Sequence, residues 1–173
     1  MKRVVVTGMG VISPVGNDID SFWNNLTAGK NGVGMITRFD AADQKVKVAG
    51  EVKDFDPLQY IEKSQVRKMD LFTQYAMAAA AQAMQDSGLK SGENIEAERL
   101  GVYVGSGCGG INTISDQCFK FFESGPRHVP PFLIPMIIGN IAAGTIPIRY
   151  DAEGPNLPVL NARSHTTTDI APD

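Results

Sequence analysis

Residues 2–7 form a β-branched, apolar run closed by Gly8-Met9-Gly10, and an unbroken run of this kind predicts a strand buried on both faces. Pro14 and Gly16-Asn17 mark a loop. Asp18 or Asp20 is placed to cap a helix through residues 21–26, which Gly29 and Gly32 end. The stretch 34–56 is loop-rich, with a strand expected over 46–52. The clearest helical pattern spans 70–87. There Leu71, Tyr75, Ala78, Ala79 and Met84 fall near helical spacing, alanines 78–81 favour helix, and Gly88 supplies a left-handed cap. A helix with such small side chains packs close to its neighbour, which predicts a buried position. A second apolar strand is expected over 99–105 and a helix over 112–123. After Gly125-Pro126 the prolines predict an extended segment. A short helix follows over 137–143, then either a strand or a continuation of that helix over 146–150. Strands with helices between them imply an α/β sheet protein, with no internal repeat and no linker separating two domains.

Composition narrows the function classes. The chain has 173 residues, enough for one domain with its own core, and its 43% hydrophobic and 20% charged residues are ordinary globular usage. A net charge of −3 argues against nucleic acid as the main partner. Two cysteines, Cys108 and Cys118, are too few for the disulfide framework of a small secreted domain and read as free thiols in a reducing cytoplasm. The apolar stretch behind Met1-Lys2-Arg3 breaks at Thr7-Gly8, too short for a signal-peptide core, and no run approaches the roughly 20 apolar residues of a membrane span.

Two glycine loops invite a phosphate-binding reading. Thr7-Gly8-Met9-Gly10 follows a predicted strand, but Ser13 and Pro14 occupy the place where a dinucleotide fingerprint needs its third small residue. The loop from Gly105 to Gly110 has no Lys-Ser/Thr pair after it and so is not a P-loop. By spacing alone it is a tight crossover where backbone passes close to another segment or a ligand.

Taken in order, several segments resemble one family. Arg3-Val4-Val5-Val6-Thr7-Gly8-Met9-Gly10 and Ser13-Pro14-Val15-Gly16 are similar to the opening of elongating β-ketoacyl-[acyl-carrier-protein] synthases. The likeness continues through Phe22-Trp23, Arg38-Phe39-Asp40, Ala49-Gly50-Glu51-Val52-Lys53-Asp54-Phe55-Asp56, Arg67-Lys68-Met69-Asp70, Gln74-Tyr75-Ala76 and Asp86-Ser87-Gly88. It runs on through Gly105-Ser106-Gly107-Cys108-Gly109-Gly110, Gly125-Pro126-Arg127, Pro131-Phe132 and Gly154-Pro155-Asn156, about residues 2–160. The resemblance implies the thiolase-like fold, of which this chain would supply the first of two α/β halves of an α-β-α-β-α layered structure, usually as a homodimer. It also implies decarboxylative condensation of an acyl primer with malonyl-acyl-carrier protein, without cofactor or metal. In the family a cysteine thiolate at a helix N-terminus takes the acyl group, and two histidines from the second half assist.

The chain departs from that pattern after residue 160. Counting from Gly154-Pro155-Asn156, Arg163 falls on the nucleophile position, and a guanidinium cannot form a thioester. Residues 1–160 therefore read as a ketosynthase N-terminal half, and 161–173 as a divergent, truncated or frame-disturbed tail. The abruptness of the change favours a disturbed or truncated end. Ser164-His165 is not a nucleophile pair, because adjacent residues rarely face each other and no orienting acid is evident. His128 reads as an ordinary exposed histidine.

The basic residues Lys63, Arg67 and Lys68 read by themselves as a solvated helix start. The resemblance implies a second use for them and for Arg127, the docking of acidic acyl-carrier protein by electrostatic steering. It places Cys108 where the family lines the acyl channel, as a small buried group near the dimer interface.

Overall fold

The computed structural model describes residues 3–160. In chain order the elements are α1 (Ile19–Thr27), β1 (Val33–Met35), β2 (Val48–Gly50), α2 (Lys63–Val66), α3 (Leu71–Ser87), β3 (Val102–Ser106), α4 (Ile111–Ser124), α5 (Leu133–Ile137), α6 (Ile141–Tyr150) and β4 (Asn156–Leu160). The chain divides into two compact units. One holds residues up to Gln59 with Ala78–Gly88, and the other holds Tyr60–Met77 with the remainder, so α3 contributes to both.

In the first unit Asp18, not Asp20, caps α1: its Oδ1 accepts the Ser21 N–H at 2.8 Å and its Oδ2 the Ser21 hydroxyl at 2.7 Å. These bonds favour the ionised carboxylate and hold Asp18 below the ordinary value, the backbone bond contributing most. Gly29, at φ +67°, lets the chain leave the helix. β1 and β2 pair antiparallel with Gly34 opposite Ala49. The first glycine loop lies against α3. A Cβ on Gly10 would collide with the Ala79 carbonyl, and one on Gly8 with Ala83 and Ser87. Two of the loop's N–H groups are occupied, Met9 by Asp86 Oδ2 and Val11 by Gln82 Oε1, each at 2.9 Å. The glycines thus serve helix packing.

The expected strand over 2–7 does not form among the described residues. Val4 is 97% exposed, and among the described residues the sheets are the pairs β1–β2 and β3–β4. The sequence carries β propensity here, but a strand exists through its ladder partner, and none of the described residues provides one.

In the second unit β3 and β4 lie parallel, with Val102 opposite Asn156 and Ser106 opposite Leu160. Helices α4, α5 and α6 fill the crossover between them, which is the α/β connection the patterning predicts. Helix α6 packs on both strands and buries Ala142, Ala143 and Ile146. Two expectations change in this crossover. The proline-punctuated segment is a 3₁₀ turn over Pro126–His128 followed by α5, and 146–150 is helix. Pro135 stands in the first turn of α5, where its missing N–H has no helical acceptor to lose. Pro147 stands inside α6 and is buried with Ile146, so burial of that face outweighs the propensity cost of about 3 kcal/mol. Gly88 caps α3 at φ +65° as expected.

Candidate functional site

The second unit carries an apolar cavity of about 560 Å³. Helix α4 lines it with Ile114, Gln117, Cys118, Phe121 and Phe122, a run at i, i+3, i+4, i+7 and i+8 that places one stripe toward the space. The other walls are Pro126 and Val129 around the 3₁₀ turn and Leu133 and Ile137 of α5. Gln117 Oε1 is buried there without a hydrogen-bond partner.

The second glycine loop holds these walls together. Gly109 lies at φ +64°, and a Cβ on it would press on Ile137 and Gly139. The Gly110 N–H donates to the Ile137 carbonyl at 3.1 Å, joining the end of α5 to the start of α4. This is the tight crossover that the spacing implied. Asp70 holds the same corner. It is only 3% exposed; Oδ1 accepts the Phe72 N–H at 3.2 Å and Oδ2 the Thr113 N–H at 2.8 Å. One carboxylate thus caps α3 and, across 43 residues of sequence, α4, whose own N-cap Gly110 offers no side chain.

Lys63 begins α2, and Arg67 is its C-cap; both are exposed. Lys68 is exposed too, with its ammonium 5.5 Å from the centroid of Phe132, the residue that opens α5. Arg127 is exposed on the 3₁₀ turn whose Pro126 lines the cavity. None of the four has an acidic side chain within ion-pair distance among the described residues. Neither Lys68 nor Arg127 lines the cavity: Lys68 meets Phe132, the residue before the lining Leu133, and Arg127 follows the lining Pro126.

Cys108 is exposed, so it is not the small buried hydrophobe expected, and the cavity wall does not include it. It sits at the outer turn of the glycine loop, where Gly109 and Gly110 make the close contacts. The thiol that does line the cavity is Cys118, itself exposed, which lies on the α4 stripe. His128 is exposed and donates from Nδ1 to the Ser124 carbonyl at 2.7 Å, an ordinary local contact. Arg163, Ser164 and His165 lie outside the described residues. Among the described residues no group of three His, Cys, Asp or Glu is placed to hold a metal ion, and no helix is long and apolar enough to cross a membrane.

A parallel β-α-β crossover with a glycine corner and an apolar wall defines an α/β protein, and comparison with known proteins gives its family. A family model described as "Beta-ketoacyl synthase, N-terminal domain" matches residues 1–165, and the chain belongs to that family. It is 47% identical over 161 residues to the 3-oxoacyl-[acyl-carrier-protein] synthase 2 of Coxiella burnetii, covering 93% of this chain and 39% of that protein. With the Staphylococcus aureus protein of the same name it shares 44% over 169 residues, 98% of this chain and 41% of that one. It thus spans about two fifths of the length of the curated relatives it matches. Among solved structures, the ishigamide ketosynthase/chain length factor superposes with a TM-score of 0.81 at 29% identity, covering 90% of this chain and 39% of that one. A type II PKS acyl-carrier protein in complex with its ketosynthase superposes with a TM-score of 0.70 at 26% identity, covering 88% and 40%. The thiolase-like fold class expected from the resemblance therefore holds.

Proposed function

We propose that this chain serves fatty-acid chain elongation as the carrier-docking half of a ketosynthase, and that it carries no condensing chemistry by itself. The observation that carries the reading is that Lys68 and Arg127, exposed and without an ion pair among the described residues, each adjoin a segment that lines an apolar cavity, Lys68 through Phe132 beside Leu133 and Arg127 beside Pro126. Acyl-carrier protein is acidic and delivers an apolar chain, so cations beside an apolar wall match both of its parts. Unpaired surface cations act over distance, raising the rate of encounter more than the strength of the final contact. The names of the relatives, and the carrier-protein complex among the structural neighbours, support the same partner.

The full reaction joins an acyl primer to malonyl-carrier protein with loss of carbon dioxide. It requires a thiolate to hold the primer as a thioester, and Arg163 stands at that position in the sequence. A homodimer mate or a ketosynthase subunit would cover the aromatic face of α4, and Cys108 would meet the acyl channel where that partner closes over the glycine loop. The setting is cytoplasmic. A second reading, a non-catalytic ketosynthase-like partner, draws on the likeness to the ishigamide ketosynthase/chain length factor and on Arg163.

Charge reversal tests the docking. Replacing Arg67 and Lys68 with Glu is expected to slow association with acyl-carrier protein about tenfold at low salt and to flatten its salt dependence. Exposed pairs are worth only about 0–1 kcal/mol each, so the change shows mainly in the association rate. Unchanged kinetics at low and high salt would remove the proposal.

A further inference from the structure

The turn between α1 and β1 holds the one Asn-Gly step in the sequence, Asn31-Gly32. Asn31 is exposed, and its Oδ1 accepts the Val33 N–H at 2.9 Å. Gly32 is there for packing. A Cβ on it would lie 2.7 Å from Val15 Cγ1 and 3.0 Å from Pro14 Cβ, both nearer than ordinary van der Waals contact. The turn is tied on either side. The Lys30 N–H donates to the Asn25 carbonyl at 2.9 Å, and Val33 stands opposite Gly50 in the β1–β2 pair. A close approach has therefore put, straight after an exposed amide side chain, a backbone nitrogen with no side chain of its own to shield it.

We propose that Asn31 is a self-modifying site, an asparagine that the chain converts to aspartate and isoaspartate without an enzyme. The Gly32 nitrogen attacks Asn31 Cγ. An N–Cγ bond forms, the Cγ–Nδ2 bond breaks, and ammonia leaves with the proton of the Gly32 N–H, closing a succinimide ring. The attack is intramolecular, between groups already adjacent. It builds negative charge on Oδ1, where the Val33 N–H already donates, as a single oxyanion donor would. Water then opens the ring. Opening at Cγ gives aspartate. Opening at the main-chain carbonyl gives isoaspartate, in which the chain runs through Cβ and Cγ and is one carbon longer. Either product adds a carboxylate to a chain of net charge −3. The longer backbone falls between the Lys30 tie and β1, where Gly32 has no room to spare, so the isoaspartyl form loosens the β1–β2 pair.

Ageing the purified chain at mildly alkaline pH, where more of the Gly32 nitrogen is deprotonated, tests the proposal. Peptide mapping reads the acid at position 31, and an isoaspartyl methyltransferase with a radiolabelled methyl donor reads isoaspartate. Asn94 is the internal control. It is exposed too, and its Oδ1 accepts the Lys90 N–H at 2.8 Å, but the β-branched Ile95 follows it. Asn31 is expected to convert about tenfold faster than Asn94, because a branched neighbour hinders the attacking nitrogen. Asn31→Gln, which would have to close a larger ring, should take no methyl label while melting as the parent does. The converted chain, resolved from the amide form by ion exchange, should melt below Asn31→Asp, which carries the same charge on a backbone of normal length. A folded chain that keeps the Asn31 amide while a peptide of residues 26–36 loses it would show that the fold holds the two groups apart, and would overturn the proposal. Methyl label that persists in Asn31→Gln would overturn it as well. Equal melting of the converted chain and Asn31→Asp would overturn the loosening of β1.

Discussion

Helices α3 and α4 are of comparable length, 17 and 14 residues, yet they solve opposite problems. Along α3 no side chain from Leu71 to Met84 is exposed; Thr73 and Ala78 are entirely buried. Its alanines leave room for backbone to approach, and the glycines at 8 and 10 use that room. Helix α4 instead leaves Ile111, Phe119, Phe121 and Phe122 exposed, the last two on the open side of the cavity, and Phe122 is 83% exposed. Small residues let a helix disappear into its own chain, whereas aromatic ones on a free face require a larger covering surface. As its small side chains predict, α3 is the enclosed helix, and the exposed apolar surface belongs to α4.

The largest effect should come from the enclosed helix. Met77→Ala, at a side chain 3% exposed, should destabilise the chain by about 2–5 kcal/mol, read by denaturant unfolding. A loss below 1 kcal/mol would show that α3 is not the packing centre. Helix α1 sharpens the contrast, because its hold is a cap and none of its residues is buried. Asp18→Ala should cost about 1 kcal/mol. Since the folded carboxylate titrates below its unfolded value, its contribution is complete above the ordinary value of 3.8 and fades as pH falls through the lower folded value. The parent and Asp18→Ala should therefore converge in stability in acid, which a pH series of melts would reveal. The smallest effect on stability belongs to α4. Phe122→Ser should shift unfolding by less than about 0.5 kcal/mol yet reduce self-association measured by light scattering. A parent chain that is a monodisperse monomer at high concentration would break the comparison.

What could be read from the chain before its structure follows the same division between local and distant causes. The α3 pattern, the Gly88 cap and the Asp18 cap are set within a few residues, and each holds. The run over 2–7 reads as strand from its valines, but strand formation depends on a neighbour that local pattern cannot supply. Pro147 argues against helix locally and is overruled by burial of α6 on β3 and β4. In the site, the basic residues were visible as a cluster. Their relation to the cavity was not, because Lys68 meets Phe132 across 64 positions and Asp70 meets Thr113 across 43. Cys108 stands out through its flanking glycines, while the place of Cys118 on the cavity follows only from the helical stripe of α4.

Docking without chemistry is the centre of the account, and a condensation assay addresses it most directly. The purified chain would be incubated with radiolabelled acyl-carrier protein and malonyl-carrier protein, at concentrations where carrier binding has been measured. The predicted result is bound carrier and no condensed product above a no-protein control, because Arg163 cannot take the acyl group. Product above that control would contradict it and would place a working nucleophile elsewhere in the chain.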